Sequence, residues 1–354
     1  MFFFSFVFTK IKKYKYLFRK FLSLFYQHHL LWMETVNRTK GYKNKTNKSY
    51  FNNYKSMEIV KTNGSKGWKN VLKIVIPYLI FVGIFQAIGM LIAGVDFRHF
   101  SDGHQTSVQL SIIYFMSMLG TVGIVWLFRK KADKKTFTSI GFIKGSIRKD
   151  LIFGCALGFV IMLVGYTVLI LTKQMEYVDI QFNAVNLMNC FGLFAFVAIA
   201  EEVFARGYIL NNLMVSFDKY VALVISALIF SAMHIANSNV NIIGLIIIFL
   251  SGIALGLPYI YTKKLWFPIA LHFSWNFFQG PIFGFNVSGI EIPTLLVTKY
   301  NTANIWNGGK FGFEGSVVSA VLLVLAILLI YILFRNRVPS VQEELIVSDI
   351  EINN

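Results

Sequence analysis

From Val71 onward the chain is a succession of apolar runs, most of them close to bilayer length, separated by short polar or basic connections. A bilayer's hydrocarbon core is about 30 Å thick, so a helix needs about 20 apolar residues to cross it. Nothing there can hydrogen-bond a bare peptide group, which leaves helices and closed barrels as the spanning structures. The runs fall near 71–95, 107–128, 151–172, 187–210, 220–236, 240–261, 265–283 and 315–334 and predict eight transmembrane helices. The expected fold is therefore all-α, a polytopic membrane protein. Composition agrees: 56% of the residues are hydrophobic and 14% charged, against about 25% charged in soluble domains.

The formal net charge of +17 does not point to nucleic acid, because the Lys and Arg residues gather in the N-terminal segment and in short connections rather than on one face. Such gathering is the mark of membrane orientation. Connections near 129–149, at Lys219, at Lys263 and Lys264, and after Phe334 are basic, whereas the alternate ones carry only Arg98, Lys173, Lys299 and Lys310. The positive-inside rule then places both termini in the cytoplasm of a multi-pass protein of the cell membrane. Three regions are expected: a basic tail over 1–70, disordered or peripheral; a transmembrane domain over 71–337; and a short acidic tail over 338–354. The organised part begins only after Met57, so Met33 and Met57 are alternative starts. The two cysteines, Cys155 and Cys190, lack CxxC spacing and read as small hydrophobes.

Of the 17 acidic residues, only Glu201 and Glu202 fall deep within a predicted span. Of the six histidines, only His234 and His272 do. Charge at membrane depth is unfavourable by about 2.5–3.5 kcal/mol per residue on insertion scales and marks a functional site by default. Glu202 and Arg206 are four apart, so they can pair on one helical face. Glu201 is turned about 100° away and is left free for chemistry. His272 and Asn276 share a face, and Phe230 stands one turn before His234 to wall its ring. At about 1.5 Å per residue, Glu201 lies about 16 Å, His272 about 13 Å and His234 about 21 Å from the basic ends of their spans. The histidine at 234 is thus the member least level with the others.

A carboxylate, two imidazoles and an amide suit amide hydrolysis: Glu201 to take a proton from water, His234 to orient it, His272 and Asn276 to donate to the oxyanion. Glu201, His234 and His272 are equally the donor types of a catalytic zinc with an open position. The sequence leaves both versions open, although the HExxH spacing of a zincin is missing.

Glu201-Glu202-Val-Phe-Ala-Arg206 matches EExxxR, Phe230-Ser-Ala-Met-His234 matches FxxxH, and His272-Phe-Ser-Trp-Asn276 matches HxxxN. In this order, on successive predicted spans, the residues resemble the CPBP family: type II CAAX prenyl endopeptidases and their prokaryotic relatives, including bacteriocin-processing and self-immunity proteins. The resemblance covers about 144–283. It implies an eight-helix intramembrane protease in which Glu201 and His234 activate water while His272 and Asn276 form the oxyanion hole, with Glu202, Arg206 and Phe230 as support. It implies as partners the lipid bilayer and a peptide or membrane-protein substrate, cleaved near the cytoplasmic half of the bilayer. A non-catalytic immunity or regulatory scaffold is the alternative, and a proton-coupled transporter a third reading.

Overall fold

The computed structural model describes residues 67–96 and 105–337. The expectations for most of the N-terminal tail and for the acidic C-terminal tail lie outside these residues. Every predicted span is a helix. They are α1 (Gly67–Ile92), α2 (Ser107–Lys131), α3 (Ile147–Leu171), α4 (Ala184–Glu202), α5 (Asn211–Ser216), α6 (Lys219–Met233), α7 (Ile242–Thr262), α8 (Trp266–Phe277) and α9 (Val317–Phe334). Between α4 and α5 the chain stays helical but widens into a π-helix over Val203–Leu210, so one rod of 33 residues runs from Ala184 to Ser216.

Six helices are long and apolar enough to cross a bilayer: α1, α2, α3, the 184–216 rod, α7 and α9. The other two expected spans are shorter. Helix α6 has 15 residues and stops at Met233, and α8 has 12 before a second π-segment over Phe278–Ile282. Both short helices carry motif residues at or near the ends where they stop or change pitch.

Local signals account for the starts. Thr106 and Gln109 form a reciprocal capping box on α2. Asn183, Asp218, Asn241 and Ser316 each accept a backbone N–H in the first turn of α4, α6, α7 and α9, satisfying donors that a helix start leaves orphaned. Small residues set the spacing of the bundle. Gly154 and Gly158, one turn apart on α3, face Ala270 and Ser274 of α8 so closely that a Cβ would lie 2.7 Å from each. Ser274 donates back to the Cys155 carbonyl at 2.6 Å. Gly252 of α7 meets Ala227 of α6 in the same way. Cys155 and Cys190 are both unpaired.

The connections sort into two sets. On one side Asp133 accepts from Asn70, Arg129 and Asn212. There too Asn211 donates to Tyr259, Tyr259 to Ile140, and Trp266 to Ile143. On the other side a two-stranded antiparallel sheet, not expected from the apolar pattern, pairs β1 (Met175–Ile180) with β2 (Leu296–Tyr300). Asn301, Asn304 and Asn307 add bonds to Lys173 and Gln174. The basic connections thus meet one another, as do the Lys- and Arg-poor ones, which is what alternating spans require.

Candidate active site

The EExxxR residues straddle the change from α- to π-helix, with Glu201 and Glu202 ending α4 and Arg206 inside the wider turn. Single turns of π-helix recur at functional sites because they re-aim side chains. Here the two carboxylates part company. Glu202 is fully buried, and its Oε1 accepts from Arg206 Nη1 at 2.7 Å and from His272 Nδ1 at 2.8 Å. Arg206 also donates to the Gly252 carbonyl at 3.2 Å and lies 4.3 Å over the Phe230 ring. Each charge in this knot has an opposite or polar partner, the condition for keeping an ion pair out of water.

Glu201 is 28% exposed at its side chain. Its Oε2 is a buried atom with no hydrogen-bond partner. It stands 3.8 Å from His272 Nε2 and 3.9 Å from His234 Nε2, beyond direct hydrogen bonding. These separations suit a water about 2.8 Å from both the carboxylate oxygen and a ring nitrogen. His234 is level with Glu201 despite the mismatch in helix rise, because α6 ends at Met233 and the histidine caps it. Two serine bonds seat that helix: Ser226 to Ala205 O and Ser231 to Leu245 O. His234 Nδ1 lies 2.8 Å from Phe230 O. A carbonyl only accepts, so Nδ1 carries the hydrogen and Nε2 turns a lone pair toward Glu201. Phe230 walls both rings, with centroids at 4.8 Å from His234 and 6.3 Å from His272.

His272 differs. Its Nδ1–H is committed to Glu202, the carboxylate that also pairs with Arg206, so Nε2 becomes a donor when the ring carries a second proton. The Glu202 charge then compensates it. Asn276, one turn further along α8, is buried and lines the same cavity. Its amide makes no hydrogen bond among the described residues, and α8 changes to π-helix two residues on, at Phe278.

All four residues read as catalytic, with Phe230, border one cavity of about 240 Å³. Tyr114, Ser251, Trp275, Asn237, Ser288 and Glu314 line it as well. None of these was singled out from sequence. Tyr114 and Trp275 are aromatic residues in a chain full of them. Glu314 lies in the 283–316 connection, where an acid looks unremarkable. Among the described residues no group of three or more His, Cys, Asp or Glu is arranged to hold a metal ion. Ligands of a tetrahedral zinc at about 2.0–2.2 Å stand closer together than the 3.8 and 3.9 Å between Glu201 and the imidazoles. As they stand, Glu201, His234 and His272 are not drawn in around one zinc ion.

Residues 183–278 match the family model described as type II CAAX prenyl endopeptidase Rce1-like. The chain carries an Rce1-like domain. The matched segment runs from the N-cap of α4 past Asn276 and so contains all three motifs. Comparison with curated proteins and with solved structures gave no match. Over that segment the chain is similar to CAAX-type endopeptidases of the CPBP kind, and its six long apolar helices are those of a multi-pass membrane protein.

Proposed function

We propose that this chain is an intramembrane peptidase that hydrolyses a peptide bond with a water activated by Glu201. The observation that carries the reading is the unpartnered Glu201 Oε2 set between the Nε2 atoms of His234 and His272. Glu201 takes one proton of the water while His234 Nε2 accepts the other hydrogen and aligns the oxygen. The hydroxide equivalent adds to the scissile carbonyl carbon. Protonated His272 and the Asn276 amide donate to the oxygen that becomes negative, a preorganised hole worth about 10²–10³ in rate per donor. When the tetrahedral adduct collapses, the proton held by Glu201 passes to the departing amine, leaving a carboxylic acid and a free amino terminus. Glu202 acts through His272: its carboxylate fixes the ring and makes its second proton tolerable in an apolar interior.

The substrate is a peptide or a membrane-tethered chain. It reaches the site from the face built by the 283–316 connection, whose residues wall the cavity. If both termini are cytoplasmic, as the positive-inside count expects, that face is the one away from the cytoplasm. Purified protein offered a peptide library in detergent or nanodiscs should cleave a subset of sequences. Cleavage that survives both Glu201→Gln and His234→Ala would refute the mechanism.

A further inference from the structure

The cavity has a second carboxylate that the hydrolytic scheme leaves unused. Glu314 sits in a short 3-10 turn over Phe313–Gly315, directly before α9. It is 7% exposed. Its Oε2 accepts from the Ser288 backbone N–H at 2.9 Å and from Ser288 Oγ at 2.6 Å. Its Oε1 makes no hydrogen bond among the described residues, and the residue lines the cavity that holds Glu201. Ser288 itself is held in the left-handed region, φ 48°, and adjoining Gly289 bonds the Phe311 carbonyl at 3.0 Å. The carboxylate is therefore fixed from two sides and has one oxygen to spare.

The rest of the lining is apolar or neutral apart from the catalytic histidines, and it includes no lysine or arginine. Arg206, the nearest cation in the motif set, is consumed by Glu202 and Gly252. A substrate bringing a free C-terminal carboxylate would meet Glu201 and Glu314 with no lysine or arginine in the lining to receive it. A lysine or arginine side chain, or an amino terminus, would find a carboxylate acceptor at reduced dielectric, where charge-assisted bonds are strongest.

Resting on the peptidase reading, we infer that Glu314 is a specificity residue that receives a cationic group of the substrate, so that the cavity selects basic peptides over chains presenting a terminal carboxylate. The test uses the full chain carrying Glu201→Gln, which binds without turnover. Two fluorescent apolar decapeptides are titrated against it, identical except for one lysine replaced by norleucine. The lysine peptide should bind at least about tenfold more tightly, the scale of one modest charge-assisted contact. Adding Glu314→Gln should close that gap. Gln keeps an acceptor for Ser288, and thermal unfolding verifies the fold. Adding Glu314→Lys instead should shift preference to a glutamate-bearing decapeptide. Equal binding of the first two peptides, or a lysine preference that survives Glu314→Gln, overturns the inference. Failure of the wild-type protein to hydrolyse either peptide while the lysine preference persists would sink the peptidase reading and leave the cation site standing.

Discussion

Glu201 and Glu202 are adjacent in sequence, lie on one helix and share a chemistry, yet they occupy opposite environments. Glu202 is sealed, and its Oε1 is claimed by a guanidinium and an imidazole. Glu201 borders a cavity with Oε2 unclaimed. The helical turn separates their directions by about 100°, and the change to π-helix at Val203 carries Arg206 round to only one of them. The difference shows how a membrane protein keeps a reactive carboxylate. One acid is paired through Oε1 to hold the frame, its sealed Oε2 making no hydrogen bond, and its neighbour presents an unpartnered Oε2 beside the cavity.

The sharpest way to break that contrast is to turn Glu201 into its amide and, separately, to remove the cation that pairs with Glu202. Glu201→Gln should lower the rate of peptide cleavage by about 10²–10⁴, the range of a lost general base, with a melting temperature close to wild type. Arg206→Ala should do the reverse, destabilising the fold by about 3–5 kcal/mol because the Glu202 charge stays buried without its main partner. Thermal unfolding beside single-turnover cleavage separates the two. Should Glu201→Gln unfold the protein as readily as Arg206→Ala, the division of labour is wrong.

Asn276→Ala tests the far side of the cavity. With its amide free of protein partners, truncation should reduce kcat by about 10²–10³ and change KM little, as removal of one oxyanion donor does. A loss confined to KM would make Asn276 a ground-state contact instead.

Much of this was legible because burial in an apolar segment makes each polar residue conspicuous. Glu201, Glu202, Arg206, His234, His272 and Asn276 stand out as exceptions, and the four-residue spacing of Glu202 and Arg206 matches the ion pair that joins them. Reading the 220–236 and 265–283 runs as full spans failed for a physical reason. Hydropathy registers apolar length but not where a helix stops, and α6 ends at Met233 so that His234 can cap it and reach Glu201. The link from His272 to Glu202 was hidden because it joins residues 70 positions apart through a change of helix pitch that no residue pattern announces. Glu314 was hidden by its position. An acid in a connection draws no notice until the connection folds back over the cavity.

The spacing of the bundle offers a milder challenge to the same contrast, since α8 carries two of the four site residues and rests on α3 through Gly154 and Gly158. A Cβ at Gly158 would lie 2.7 Å from Ser274 Oγ and 3.0 Å from the Trp275 backbone nitrogen. Gly158→Val should push the helices apart and destabilise by about 1–3 kcal/mol, the usual penalty of overpacking. Activity should fall through displacement of His272 and Asn276 while the Glu202–Arg206 pair survives. Gly83, whose added Cβ would meet nothing within 4 Å, is the control, and Gly83→Ala should change neither melting temperature nor rate.

The smallest expected effect concerns a half-buried cation with no ion pair among the described residues, the inverse of Arg206. Lys263 caps α7 in the left-handed region and points its Nζ at Met214 Sδ, 3.0 Å away. Burial, reinforced by the positive charges of Lys219 and Lys135, pushes its pKa down from 10.5 to about 8. Above the folded pKa and below the unfolded one, the unfolded chain binds the proton and the native protein does not, so stability rises with pH across that interval. Below about pH 8 the native state must carry the charge, and the penalty is fully present. Detergent-solubilised protein should therefore gain thermal stability between roughly pH 8 and 10.5, beyond what Lys263→Met shows over the same range. At pH 7 the Met variant should be the more stable of the two, because it removes the penalised charge and leaves the aliphatic packing in place. Equal melting temperatures for the two proteins at pH 7, with parallel profiles above it, would mean that Lys263 reaches water.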